Sequence, residues 1–115
     1  MKSGKIWGET ALILKTPFVE LHQLAINPHS FCSWHKHQFK WNAFLVVSGS
    51  LHIEVVKNDY ALTDITVLGP GELCTVKPGE VHRFRTIGDR VEAWELYYPE
   101  PLAEDIIRES VGGRE

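Results

Sequence analysis

Three histidines have the residue type and spacing to bind a single metal ion. His35 and His37 are separated by one residue, and His82 lies on a later segment of the chain. On a β-strand, side chains two residues apart point to the same face, so His35 and His37 would offer two imidazole nitrogens from one strand. Tertiary packing would have to bring His82 to the same place. The alternative is that the pair belongs to a polar, exposed strand face, and side-chain parity alone does not decide between them.

The elements that must position these histidines are predicted to be short β-strands. Turn residues such as Asn27-Pro28, Gly69-Pro70-Gly71 and Lys77-Pro78-Gly79 recur about every ten residues, which is typical of a β-sandwich or barrel. One short helix is predicted over Leu102–Ser110. The predicted strands span residues 9–14, 18–26, 31–37, 41–47, 51–57, 64–68, 73–76, 81–87 and 91–98. The pattern therefore predicts an all-β fold with a short C-terminal helix.

Length and composition predict one compact domain spanning residues 1–115. Hydrophobic residues make up 43% and charged residues 23% of the chain, which is typical of globular proteins and excludes disorder. The net charge is −3 and lysines and arginines are not clustered, so nucleic acid is not an expected partner. No apolar run is long enough to cross a membrane, so no membrane association is expected. Cys32 and Cys74 are interpreted as free thiols, and a cytoplasmic location is expected.

The residues around the histidines resemble the two sequence motifs of the cupin superfamily. The first motif has an HxH pair, a glutamate and a glycine, and the matching positions here are His35, His37, Asn42 and Gly49. The second has a glycine, a proline-containing turn and a histidine, and the matching positions are Gly71, Lys77-Pro78-Gly79 and His82. This resemblance implies a small antiparallel β-barrel or jelly roll that binds a metal through His35, His37 and His82. The stretch from Val46 to Gly49 is also similar to phosphomannose isomerase-like cupins.

Asn42 is the main departure from the cupin pattern, because many members have a metal-binding glutamate there. An amide oxygen brings a dipole and no charge, so Asn42 would be a weaker and optional ligand. Three neutral imidazoles with Asn42 at the margin would leave metal positions open for a substrate. We expect one divalent transition metal, and Zn, Fe, Ni and Mn stay open, with Mn disfavoured by the loss of the carboxylate.

Glu95 and Tyr97 share one face of the last predicted strand. In isomerase-like cupins a glutamate often occupies a similar place and reaches toward the pocket. The resemblance therefore implies that Glu95 is a general base or holds a substrate hydroxyl, with Tyr97 as a hydrogen-bond donor beside it. The alternative is that Glu95 lies on the outer face and Tyr97 at the rim. His22, His29 and His52 are predicted to be surface residues.

The resemblance implies a small-molecule ligand and leaves three functions open. The first is isomerisation or epimerisation of a small carbohydrate or hydroxy acid, the second is a non-haem iron oxygenase, and the third is a non-enzymatic binding barrel. Trp34 and Trp41 have the opposite parity to His35 and Asn42, so both are predicted to point outward. A second subunit commonly packs on that outer face in cupins, so a homodimer is expected.

Overall fold

The computed structural model describes residues 2–57, 62–99, 110 and 112–114, and these residues form an all-β fold. The strands are β1 (Lys2–Lys5), β2 (Gly8–Lys15), β3 (Glu20–Ile26), β4 (Lys40–Ser48), β5 (Leu51–Lys57), β6 (Leu62–Leu68), β7 (Leu73–Val76), β8 (His82–Arg85) and β9 (Val91–Pro99). One sheet has the strand order β1-β2-β3-β9-β4-β7, and the other has the order β6-β5-β8. All strand pairs are antiparallel, which confirms the predicted fold class.

The apolar core lies between the two sheets and follows the two-residue period of the strands. On β4, Phe44 and Val46 are buried, and on β8 the buried side chain is Phe84. Leu51 and Ile53 of β5 close the core from the smaller sheet. Burial of each such side chain contributes about 1.5–3 kcal/mol. On β4, β5 and β8 the alternate residues of each strand therefore face the core.

Gly49 fixes the turn between β4 and β5. Its φ angle is +85°, and a Cβ atom at this position would lie 2.6 Å from the carbonyl oxygen of Arg90. A side chain would thus collide with the backbone just before β9. Because β4 pairs with β9, this close approach helps to set the register in which Asn42 lies opposite Tyr97 and Phe44 lies opposite Glu95.

The prediction of a regular strand over residues 31–37 is wrong. The segment makes two single-residue bridges, Phe31 with Arg85 and His35 with His82. The segment advances four residues from Phe31 to His35. The partner residues on β8, Arg85 and His82, are only three residues apart, so the register shifts by one residue. This extra residue interrupts the ladder, as in a β-bulge.

Two further elements differ from the sequence prediction or fall outside the structure. Strand β1 has the sequence KSGK and four exposed residues, so it carries no apolar alternation from which it could be predicted. The predicted helix over Leu102–Ser110 lies, apart from its last residue, outside the described residues. Among the residues that the structure describes, no helix is long and apolar enough to span a membrane.

Candidate metal centre

The structure brings His35, His37 and His82 together. Their ring centroids lie 5.2 Å (His35–His37), 4.4 Å (His35–His82) and 5.6 Å (His37–His82) apart. One nitrogen from each ring can be chosen so that all three atoms lie within 4.8 Å of one another. The convergence predicted for these histidines is therefore present, although the HxH pair is not on a regular strand.

Backbone hydrogen bonds lock the two motifs to each other. His35 and His82 exchange both of their backbone hydrogen bonds, at 3.1 and 2.8 Å. The carbonyl oxygen of His37 accepts a hydrogen bond from the backbone N–H of Gly79 at 2.7 Å. The main chain of the HxH pair is thus hydrogen-bonded to β8 and to the turn before it, which carry the second motif.

Lys77 stands where the second cupin motif, which the turn Lys77-Pro78-Gly79 resembles, has its first proline, and the backbone N–H of Lys77 is used in the turn. It donates to Oε1 of Glu80 at 2.9 Å. The N–H of Glu80 donates back to the Lys77 carbonyl oxygen at 3.3 Å, and Gly79 takes a φ angle of +85° between them. Proline has no N–H, so the first of these hydrogen bonds depends on the departure from the family pattern.

The hydrogen bonds of the imidazole rings leave the nitrogens that face the cluster free to bind a metal. Nδ1 of His35 lies 2.8 Å from the carbonyl oxygen of Ser33, and Nδ1 of His82 lies 2.9 Å from that of Glu80. A carbonyl oxygen only accepts, so both Nδ1 atoms carry the proton and both Nε2 atoms offer a lone pair. Nε2 of His37 is buried and has no hydrogen-bond partner among the described residues. Metal-binding histidines are commonly held in this way by backbone carbonyls.

Asn42 presents its carbonyl oxygen to the same cluster. The side chain is fully buried, and its Oδ1 lies 3.1 Å from Nε2 of His82. Because the His82 proton is on Nδ1, two acceptors face each other, and a cation between them would remove the conflict. Two ligand atoms about 2.1 Å from one ion lie about 3.0 to 3.4 Å apart for bond angles of about 90° to 110°. The observed separation therefore fits two ligands of one ion.

The electrostatics of the cluster favour neutral imidazoles. Burial, with smaller contributions from the nearby His35 and His37, lowers the pKa of His82 to about 4, against the hydrogen bond to the Glu80 carbonyl oxygen, which raises it. Burial also lowers the pKa of His37, with smaller contributions from His35 and Lys40. Neutral imidazole is the form that binds metal ions, so both groups are ready for ligation at neutral pH.

Glu95 and Tyr97 lie on the inner face of β9, beside the histidines. Glu95 is only 7% exposed, and burial raises the pKa of its carboxyl, against hydrogen bonds from Tyr97 and Asn42 that lower it. Burial and the neighbouring carboxylate raise the pKa of Tyr97 above its usual range. The Tyr97 ring makes an edge contact with His37, with centroids 4.9 Å apart. Neither side chain lies on the outer face.

A cavity of about 350 Å³ opens beside these residues. Its polar lining groups come from the six-stranded sheet and from the irregular segment, and they include Thr10, His22, Cys32, His35, Glu95 and Tyr97. His22 was expected at the surface, and this prediction is wrong because its side chain is only 19% exposed. Its ring lies between Thr10 and Glu20, 3.3 Å from Thr10 Oγ1 and 3.5 Å from Glu20 Oε2. The signal in the sequence was the shared parity of His22 with buried Leu24 on β3.

The two tryptophans predicted to point outward lie beside different sheets. Trp34 is 42% exposed and packs on the guanidinium of Arg83, 4.4 Å from the ring centroid, beside the three-stranded sheet. Trp41 is half-buried and stacks on Tyr98 of the six-stranded sheet at 6.3 Å. They do not form one shared surface.

Two antiparallel sheets packed face to face, with three inward histidines from two motifs, define a small barrel of the cupin type. A family model for the cupin domain matches residues 22–94. The chain therefore belongs to the cupin family. No curated protein matches the chain.

Solved structures agree with this fold. KdgF from Halomonas sp. is 15% identical with a TM-score of 0.68, and the match covers 81% of this chain and 79% of that one. A variant of oxalate decarboxylase from Bacillus subtilis is 13% identical with a TM-score of 0.76, covering 90% of this chain and 28% of that one. The capsular polysaccharide assembling protein CapF from Staphylococcus aureus is 20% identical with a TM-score of 0.76, covering 90% of this chain and 31% of that one. The chain thus spans less than a third of the latter two proteins.

Proposed function

We propose that this cupin is a metal-dependent enzyme that isomerises or epimerises a small carbohydrate or hydroxy acid. His35, His37 and His82 would hold one divalent transition metal (Zn, Fe, Ni or Mn), with Asn42 as a weaker fourth ligand. The observation that carries the proposal is the buried, unpartnered Nε2 of His37 beside two further Nε2 atoms whose rings are held by carbonyl oxygens. Imidazole nitrogens that converge with their lone pairs free are the arrangement that binds a metal ion.

Each side chain has a role in this reaction class. A metal held by neutral ligands would polarise a substrate carbonyl or hydroxyl. Glu95 would take a proton from a substrate carbon or hold a hydroxyl, because its carboxyl lines the cavity next to His35. Tyr97 would act beside it as a hydrogen-bond donor, because the two side chains line the same cavity. Isomerisation and epimerisation both need one group that removes a proton and returns it.

The lining of the cavity supports a small hydroxylated substrate. Lys5 is the one lysine or arginine among the described residues that line it. Phosphate groups are usually bound by arginine side chains or by several positive charges at once, and the described lining holds no arginine and a single lysine. A compound with hydroxyl groups and at most one carboxylate fits the lining better than a phosphorylated sugar.

The test is proton exchange at a substrate carbon. The protein, loaded with Zn²⁺, Fe²⁺, Ni²⁺ or Mn²⁺ in turn, is incubated in D₂O with a panel of small aldoses, ketoses and hydroxy acids and followed by proton NMR. The proposal predicts deuterium incorporation or a new isomer without oxygen uptake, and loss of both in Glu95→Gln and in metal-free protein. Oxygen consumption would instead identify an oxygenase, and binding without turnover would identify a binding barrel. Either result would overturn the proposal.

We also propose that the protein forms a homodimer through the outer face of the six-stranded sheet. This face has a cleft of about 300 Å³ with an apolar lining, formed by Leu21, Ala43, Leu45, Leu73, Trp94 and Leu96. Six strands spaced about 4.8 Å apart give a flat area on the order of 650 Å², to which the relief of the side chains adds. This is close to the roughly 800 Å² per partner of a stable interface, and a flat apolar sheet face suits a two-fold pairing of identical copies.

Light scattering tests the dimer. Leu45→Glu should give a monomer, whereas Val67→Glu, on an exposed position of β6 in the other sheet, should leave the dimer intact. A monomeric wild-type protein, or a dimer that is lost only in Val67→Glu, would contradict this assignment.

A cytoplasmic location is also proposed. Cys32 and Cys74 are both free thiols in the structure. Unpaired cysteines are typical of reducing compartments, where disulfides seldom persist.

A further inference from the structure

We infer that Glu95 is a positioning residue that fixes the orientation of the Asn42 amide, so that the oxygen and not the nitrogen of Asn42 faces the metal. This role is distinct from the proton transfer proposed above, and it rests on the proposed metal site. It would explain how this chain keeps a working fourth ligand after the loss of the glutamate that many cupins have at position 42.

The two ends of the Asn42 amide lie in different surroundings. Its Nδ2 donates to the carbonyl oxygen of Leu96 at 3.3 Å and to Oε2 of Glu95 at 3.5 Å. Its Oδ1 lies 3.1 Å from Nε2 of His82. If the amide were flipped, its N–H groups would face Nε2 of His82 and the metal. Its oxygen would then face two other acceptors, the Leu96 carbonyl oxygen and Oε2 of Glu95. The two acceptors on β9 therefore select the orientation that suits a metal.

Strand register brings these groups together. Asn42 lies opposite Tyr97 in the β4–β9 ladder, and Glu95 lies opposite Phe44, one inward position along. Asn42 and Glu95 are thus diagonal neighbours on the inner face, a spacing within reach of long polar side chains. Tyr97 lies beside Glu95 in the lining of the same cavity, opposite Asn42 in the ladder.

The position of the Glu95 carboxylate also compensates for the missing charge. A carboxylate that accepts an N–H from an amide polarises that amide and increases the negative charge on its oxygen. The anionic group that cupins commonly place on the metal lies here behind a neutral ligand. Outer partners of this kind typically change metal affinity by about 10–100-fold when they are removed.

Cobalt binding tests this inference without using enzyme activity. Co²⁺ is titrated into metal-free wild-type protein and Glu95→Gln, and both the affinity and the visible absorption bands are recorded. We expect Glu95→Gln to weaken Co²⁺ binding by about tenfold and to shift the visible bands. The matched control is Glu54→Gln, because Glu54 is another buried carboxylate, 5% exposed, but pairs with Arg83 at 2.6 Å on the outer side of β5. It should leave affinity and spectrum unchanged.

A double-variant comparison separates positioning from a general structural effect. Asn42→Asp supplies a carboxylate oxygen to the metal whichever way the group is turned. In that background the Glu95→Gln change should cause no loss of Co²⁺ affinity, because it also relieves the repulsion between the two carboxylates at positions 42 and 95. An equal tenfold loss in both backgrounds would overturn the inference, as would an unchanged affinity and spectrum in Glu95→Gln.

The failure of this inference is distinguishable from that of the proposed function. If wild-type protein does not bind Co²⁺, the metal site itself is wrong. If wild-type protein binds Co²⁺ and Glu95→Gln binds it equally well, only the positioning role is wrong. Should Glu95→Gln fail to fold, Glu95→Asp keeps the charge but withdraws it by one methylene. It should show a smaller loss of Co²⁺ affinity in the same direction, and an unchanged affinity would again overturn the inference.

Discussion

Thr86 anchors the start of the segment that carries the HxH pair, and Thr86→Val removes that anchor with little change of shape. The side chain is buried, and its hydroxyl donates to the carbonyl oxygen of Asn27 at 2.6 Å and accepts from the backbone N–H of Ser30 at 3.0 Å. Valine would leave both backbone groups without this partner. Each hydrogen bond contributes about 0.5–1.5 kcal/mol net, so the loss of both should reduce the free energy of unfolding by about 2 kcal/mol.

Thermal unfolding measures this loss. With an unfolding entropy of about 2.1 cal/mol/K per residue, a loss of about 2 kcal/mol lowers Tm by about 8 °C for a chain of 115 residues. Thr63→Val is the control, since Thr63 is an exposed residue of β6 where valine suits a strand. If Thr86→Val lowers Tm no more than this control does, the hydroxyl does not anchor the segment and our reasoning is refuted.

Two further predictions concern backbone strain and thiol reactivity. Gly49→Ala should reduce the free energy of unfolding in urea by at least about 1–3 kcal/mol, because of the positive φ angle and the contact with Arg90. Gly88→Ala, which meets open space, should change it little, and equal effects of the two would contradict the account. Burial raises the pKa of the Cys32 thiol to about 11, so iodoacetamide should label the less buried Cys74 first, and Cys32 labelling should still accelerate above pH 9. Mass spectrometry of partly labelled protein checks the order, and Cys32 modified first at pH 8 would be inconsistent with its burial.

The part of the candidate site that lies on strands could be predicted because the parity of those strands is visible in the sequence. Asn42, Phe44 and Val46 alternate along β4, and all three are buried, as the two-residue period of a strand requires. The inward position of His82 follows from the same rule applied to β8. In each case the two-residue period of a strand links a local pattern to a face of the sheet.

The remainder depends on contacts between distant residues. The register shift between Phe31 and His35 arises from pairing with β8, and the local sequence carries no sign of it. Likewise, the acceptors that orient Asn42 lie on β9, more than fifty residues further along the chain. Strand β1 is held by backbone pairing with β2 and has only exposed side chains, so its sequence lacks an apolar signal.

The most direct test of the central claim is the metal content of the protein after reconstitution. Metal-free wild-type protein, His82→Ala and His52→Ala are each incubated with Zn²⁺, freed of excess metal and subjected to elemental analysis. Because a structural or catalytic zinc needs at least three protein ligands, we predict about one ion per chain in wild-type protein and in His52→Ala, and close to none in His82→Ala. Full zinc occupancy in His82→Ala would contradict the assignment of His35, His37 and His82 as one metal centre.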